Sequence, residues 1–243
     1  MHDINRKPRT GKRPNLRHWS MYNCVLCLPF NDGAGISAFD YSVCGNHGKL
    51  MNMANPPTAV SGWQGVNGLA FDGTDDSVKK TTTVYNRTNG QEISIAVWIN
   101  PSRLAGQYQE IVASRDPSVY NWMLYQHTTG GSVQLHGTNQ NKSTFIPTIN
   151  QWTFIVATVN SAGVSKLYAN GILVQTVTDY LFGSAATELA IGNYDSTEHY
   201  KGLIDDVRIF NKALTEFEVK DLYNNQWGAW EYPYTILGTS RKK

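Results

Sequence analysis

Cysteine is scarce in this 243-residue chain: Cys24, Cys27 and Cys44 are an odd set that cannot all pair within one molecule. That excludes a disulfide scaffold, and the thiols are expected to stay reduced, as small buried hydrophobes. Cys24 and Cys27 form a C-x-x-C, but no second such pair or neighbouring histidine pair completes a tetrahedral zinc set. On an extended strand, positions three apart also face opposite sides. No apolar run approaches the eighteen residues of a membrane-spanning helix, so no membrane partner is expected. The apolar stretch 24–30 is too short for a secretory signal, and Asn31-Asp32 follows it rather than a small-residue cleavage site. Synthesis in a reducing compartment is therefore expected, with the sequons at Asn86 and Asn141 unmodified. No internal repeat, Ser/His/Asp set or phosphate-cradling glycine loop is present, and the six histidines are scattered.

What the chain does have is glycine, aromatic residues and short alternating apolar runs. Hydrophobic residues make up 41% of it, enough for a sizeable core. The runs are punctuated by Asn89-Gly90, Gly130-Gly131, residues 161–163 and Asn170-Gly171. The last lies between residues 167–169 and 172–174, and both of its positions suit the positive φ of a type I′ hairpin. Many short strands and tight turns predict an all-β sandwich that fills this length as one domain. One helix is expected, near the carboxyl end. Val207 and Ile209 alternate with Arg208 as on a half-buried strand, after which Thr215 and Glu218 have the spacing of a capping box. Leu214 and Val219 are placed to act as its hydrophobic staple.

Charge divides the chain unevenly. Residues 1–17 carry Arg6, Lys7, Arg9, Lys12, Arg13 and Arg17 against Asp3 alone, and residues 241–243 are all basic, which leaves residues 18–240 at −6 within a net charge of +2. The reading is a basic arm over residues 1–20, a domain over 21–226, and a tail over 227–243 that is aromatic and then basic. Such an arm is either a solvated tail or a docking segment for an acidic surface, with a protein shell preferred over nucleic acid. The stretch from Trp227 to Tyr234 is too aromatic for a solvated linker and should be covered.

Several motifs carry a resemblance. Residues 202–223 (GLIDDVRIFNKALTEFEVKDLY) look like the closing strand and terminal helix of the laminin-G-like, concanavalin-A-like jelly rolls, the superfamily of pentraxins, legume lectins and family 16 glucanases. Residues 25–35 and 40–48 resemble its opening strand and following loop, 68–78 its second signature, 93–101 its core tryptophan strand, and 151–160 with 165–174 its central hairpin. The matches run in the family's order over residues 25–223. The basic leader running into RPNLRHW and then LPFNDGAG further resembles phage virion proteins that decorate heads or tails.

The resemblance implies an antiparallel two-sheet jelly roll with one short carboxyl-terminal helix, displayed on a virion through Arg6, Lys7, Arg9, Lys12, Arg13 and Arg17. The expected partners are capsid or tail proteins, other copies of the chain, and a host or environmental glycan. The alternative is a free, extracellular lectin module. Hydrolysis is not expected, because the paired carboxylates that the glucanase relatives carry as E-x-D-x-E on one strand have no counterpart here. A structural calcium is also implied. Asp205 stands where the glucanase relatives have a calcium ligand, and Asp32 and Asp40, at the opening turn, could join it. By strand parity Asp205 shares the inward side of Val207 and Ile209, where a charge needs a partner. Otherwise Asp205 caps backbone amides at the sheet rim, and Asp32 stabilises its own turn. Saccharide recognition needs aromatic faces beside polar groups; Tyr108, Tyr120, Trp122, Tyr125, Tyr194 and Tyr200 lie in or beside loop-like segments, and Tyr108, Trp122, Tyr194, His199 and Tyr200 are selected as the candidate site. Core packing is the competing account of these aromatics.

Overall fold

The computed structural model describes residues 7, 13–32, 35–53, 62, 68–81, 85–116, 119–141, 143–193, 197–225 and 227–230. Two antiparallel sheets face each other, as the jelly-roll reading requires. The first contains β1 (Cys24–Leu28), β4 (Leu69–Asp72), β6 (Ile93–Pro101), β11 (Thr153–Val159), β12 (Ser165–Ala169), β13 (Ile172–Val177) and β15 (Lys201–Phe210). Its order is β1-β15-β6-β11-β12-β13, with β4 alongside the first half of β15. The second contains β2 (Ser37–Ala38), β3 (Gly48–Met51), β5 (Ser77–Thr81), β7 (Gln109–Arg115), β8 (Tyr120–Gln126), β9 (Val133–His136), β10 (Gln140–Asn141) and β14 (Glu188–Ile191). It runs β10-β9-β8-β7-β14-β5-β3-β2.

Except at its edge strand β13, the first sheet is buried on both faces. Ile93, Ile95, Val97 and Ile99 of β6 enter the core between the sheets. Ala96 and Trp98 enter a second core on the far side, with Phe154, Tyr168 and Phe210. This is why β6 reads ISIAVWI, apolar at almost every position, instead of alternating with charge. Three short helical pieces roof the second core: α1 (Trp19–Tyr22), α2 (Glu216–Asn224) and a 3-10 turn at Gly228–Trp230. Thr215 and Glu218 close the expected capping box on α2, and Leu214 and Val219 are both buried beneath it. Trp227 and Trp230 belong to the same core, with Trp230 5.0 Å from the Tyr41 ring. The tail is thus covered over residues 227–230. Residues 231–243 lie outside the described ones.

The hairpin turn is as expected, with φ of 51° at Asn170 and 77° at Gly171. Bulges overturn two readings based on period two, and the cover over the second core overturns a third. In β1 the register shifts between Cys24 and Leu26, so Cys24 and Cys27 share the second core rather than opposite faces. In β15 it shifts between Asp205 and Arg208, and Asp206 takes a φ of 44°. Asp205 consequently pairs with Trp98 and lies on that tryptophan's face, opposite Val207 and Ile209. Nor is β15 half-buried at Arg208, which is fully enclosed. Its Nε and Nη2 each donate to Asp206 at 2.9 Å, and its guanidinium sits 5.3 Å from the Trp227 ring.

Candidate functional site

The outer face of the second sheet carries the polar and aromatic groups that converge. Register fixes which side chains stand there, because cross-strand partners share a face. Glu110 of β7 is opposite Tyr125 of β8, which is opposite Gln134 of β9. Ala113, Met123 and His136 form the next row, and Arg115 with Tyr120 the one after. The shift between Glu110 and Val112 brings Glu110 to the face that Ala113 and Arg115 share while Ile111 and Val112 stay in the core, and the shift between Ser114 and Arg115 brings Tyr120 opposite Arg115. Glu198, from the loop before β15, closes the groove. Tyr108, Glu110, Arg115, Tyr120, Tyr125 and His136 are among the walls of this groove, whose volume is about 200 Å³.

Its floor is an ion triad. Arg115 Nη1 donates to Glu110 Oε2 at 3.1 Å and to Glu198 Oε2, with the Glu110 side chain 1% exposed and that of Glu198 23%. Burial disfavours the guanidinium's charge, but the two carboxylates outweigh it and raise its pKa. The tyrosines make the rim. Tyr108 is 39% exposed and meets Tyr125 edge-on at 5.6 Å, while Tyr120 lies 4.9 Å from the His136 ring. Tyr125 donates its hydroxyl to Gln134 Oε1 at 3.1 Å, and burial pushes that phenol's pKa upward. Burial lowers the pKa of His136, which favours neutral imidazole. Rings standing beside carboxylate, guanidinium and amide groups can hold a flat, partly apolar molecule that carries hydroxyls.

Of the residues expected to contact a glycan, Tyr108 belongs to this groove. Trp122 does not: it is fully buried between the sheets and donates Nε1–H to the Tyr85 carbonyl at 2.9 Å. Tyr200 is likewise core, 1% exposed and edge-on to Phe71. His199 lines a neighbouring 320 Å³ pocket with Asp75, Lys79 and Asn193, and its carbonyl accepts from Arg103. Tyr194 lies outside the described residues. Tyr120 and Tyr125, named with the loop-side aromatics but not among the selected site residues, also line the groove, and the residues not expected from sequence are Glu110, Arg115, His136 and Glu198. Within YNWMLYQ, period two gives a signal for Tyr125: with Trp122 and Leu124 inward, Met123 and Tyr125 must face out. A triad drawn from positions 110, 115 and 198 has no local signature.

The calcium set does not assemble. Asp40 accepts from the backbone N–H of Cys27, Ser42 and Asn46 and from the Ser42 hydroxyl, so it organises its own loop. Asp32 accepts from Phe39 N–H and from the Tyr41 hydroxyl, each at 3.0 Å. Asp205 is fully buried and accepts from Lys7 Nζ at 2.5 Å. An ammonium stands where the cation was expected, and these donors do not fit calcium as well. Lys7 is therefore no exposed grip. Arg13 and Arg17 are exposed, and Arg6, Arg9 and Lys12 lie outside the described residues. Among the described residues, one acidic group does converge: Asp72, Asp75 and Asp76, with ligand atoms within 4.8 Å of one another. Two of its members are held by their own turn, Asp72 accepting from Thr74 N–H and Asp76 from Asp72 N–H. A larger cavity of about 640 Å³ lies between residues 13–16 and the 39–47 loop, where Asp32 and Asp40 are bonded as just described. The tyrosine groove is smaller but has the converging chemistry.

Known proteins share this frame. Domain 4 of AbnA, a GH43 extracellular arabinanase from Geobacillus stearothermophilus, in complex with arabinotriose, superposes with a TM-score of 0.62 at 20% identity, covering 83% of this chain and 98% of that one. The ligand binding domain of botulinum neurotoxin serotype D, in complex with N-acetylneuraminic acid, gives 0.63 at 18% identity, covering 84% of this chain and 51% of that one. The adhesion G-protein coupled receptor V1 of Danio rerio is 24% identical over 201 residues, which are 72% of this chain and 3% of the receptor. The chain thus spans a small part of that receptor and about half of the neurotoxin domain. Residues 72–220 match the profile of the concanavalin A-like lectin/glucanases superfamily. The two-sheet fold and this match over most of the chain together make it a member of that superfamily.

Proposed function

We propose that the domain is a non-catalytic glycan-binding module whose saccharide sits in the groove of Tyr108, Tyr120 and Tyr125. One observation carries the reading: the partly exposed Tyr108 and Tyr120 rings and the buried Tyr125 stand around a largely buried Glu110–Arg115–Glu198 triad on the second sheet's outer face. Sugar rings present apolar C–H faces that stack on tyrosine, and hydroxyls that donate to carboxylates. That structural neighbours were solved with arabinotriose and with N-acetylneuraminic acid supports the class of ligand. Binding is favoured over hydrolysis because one guanidinium nitrogen ties both carboxylates together. Glycosidases instead separate an acid from a base or nucleophile across the scissile bond. Tyr108→Ala and Tyr120→Ala should each weaken saccharide binding by roughly 3- to 10-fold, the size of one lost aromatic contact. Titration calorimetry measures this, and wild-type affinity in both variants would refute the site. Reducing-end release from any bound oligosaccharide would refute the non-catalytic role.

Display on a virion is the finer part of this reading. Its support is the charge asymmetry between the basic termini and the acidic body. Because Lys7 is an internal ion-pair partner, the test removes residues 1–6 only. Loss of particle incorporation with the melting temperature kept is the expected result, and full incorporation would count against anchoring.

A further inference from the structure

The groove's charge balance points to a ligand class. On the reading that this face binds saccharide, we infer that it selects uncharged glycans and rejects carboxylated or sulfated ones. Arg115 is the cation among the groove's lining residues, and its Nη1 already donates to both Glu110 and Glu198. One positive charge against two negative ones leaves the floor at −1. The other named walls are Tyr108, Tyr120, Met123, Tyr125 and His136, and burial favours neutral imidazole at His136. Cations on neighbouring segments are committed or distant. Arg103 donates Nη2–H to the His199 carbonyl at 2.6 Å and Nε–H to Gln109 Oε1 at 3.3 Å. Lys79 stands in the Ala113 row but two strands away, beyond Ala190.

A sugar hydroxyl entering this floor meets carboxylate acceptors and can donate to them. A sugar carboxylate or sulfate can only accept. It could accept from tyrosine hydroxyls, but for the groove's one cation it would have to compete with two glutamates while being repelled by both. The same arithmetic admits an amino sugar, whose ammonium would be attracted.

A glycan array carrying neutral, sialylated, uronate and sulfated saccharides, read with the full chain, tests the inference. Neutral hits should be followed in solution beside their sialylated counterparts, for example lactose and 3′-sialyllactose. The neutral partner is expected to bind at least about tenfold more tightly, a difference of about 1.4 kcal/mol. Glu198→Gln, which brings the floor to zero charge, should narrow that ratio. Equal or tighter binding of the anionic partner, or a ratio unmoved by Glu198→Gln, would overturn the selectivity and leave glycan binding standing. No saccharide bound on the array or in solution would overturn the binding reading itself, and the inference with it.

Discussion

Lys7 and Asp205 are 198 positions apart in sequence, yet both side chains are wholly enclosed and their charged atoms touch. Removing one partner of a buried pair strands the other charge, at a cost of about 3–5 kcal/mol. Lys7→Met and Asp205→Asn should therefore each lower stability by that order in denaturant titrations at about pH 8, where Asp205 is ionised. The double variant should lose much less than the sum of the two, and additive losses would mean that the pair does not interact. Asp205 also imposes a pH dependence. Burial pushes its carboxyl up to about 7, against the opposing pull of Lys7. The folded state then holds this proton more tightly than the unfolded state, whose aspartates titrate near 4 (about 3.9). Between about pH 4 and pH 7 this group's contribution falls as pH rises, and above that it is constant. The wild type should show this slope in melting temperature and Asp205→Asn should lack it. Asp205 was legible from sequence as a buried charge in need of a cation. Its face was not, because a bulge at Asp206 reverses the period that the reading relied on.

Helix α2 and strand β6 show how much of an element is written locally. The capping box of Thr215 and Glu218 forms as read, with Thr215 Oγ1 accepting from Glu218 N–H at 3.3 Å and Glu218 Oε2 from Thr215 N–H at 2.9 Å. Such signals survive because they join residues three apart and need nothing from the rest of the chain. Thr215→Ala should cost about 1 kcal/mol. Trp98→Ala, by contrast, should cost about 3–5 kcal/mol, because Trp98 packs against Phe154 at 5.1 Å and Tyr223 of α2 at 5.8 Å. Thermal denaturation separates the two, and a Thr215→Ala loss as large as that of Trp98→Ala would contradict the assignment. Strand β8 marks the limit of local reading. Trp122 has polar neighbours in sequence and looks available, but its parity matches Leu124, and it is the indole that fills the core. The more useful clue was the outward set, Met123 and Tyr125. Tyr120, displaced by the shift next to Arg115, joins them against parity.

At the scale of the molecule, the two sheets have different tasks. The first is sealed on both sides along β1, β6, β11, β12 and β15, by the second sheet and by the helices with residues 227–230, while its edge strand β13 stays partly exposed. The second sheet keeps an outer face partly open, and among the described residues the apolar side chains that cluster there, Ala113, Met123, Tyr125 and Tyr120, belong to or adjoin the groove. The two-sheet architecture was legible in the motifs over residues 25–223 that resemble the family, with turn dipeptides and alternating runs pointing the same way. The site was not, since it depends on which of two faces is covered and on a triad assembled from β7 and the loop before β15. Saccharide is expected to bind on the open face of the second sheet. Amide and aromatic chemical-shift mapping during titration with a neutral oligosaccharide identified on the array tests it most directly. The account predicts saturable shifts centred on Tyr108, Glu110, Tyr120, Tyr125 and His136, abolished by Tyr120→Ala together with Tyr108→Ala. Shifts centred on the 39–47 loop or on the sealed sheet, or none at all, would contradict it.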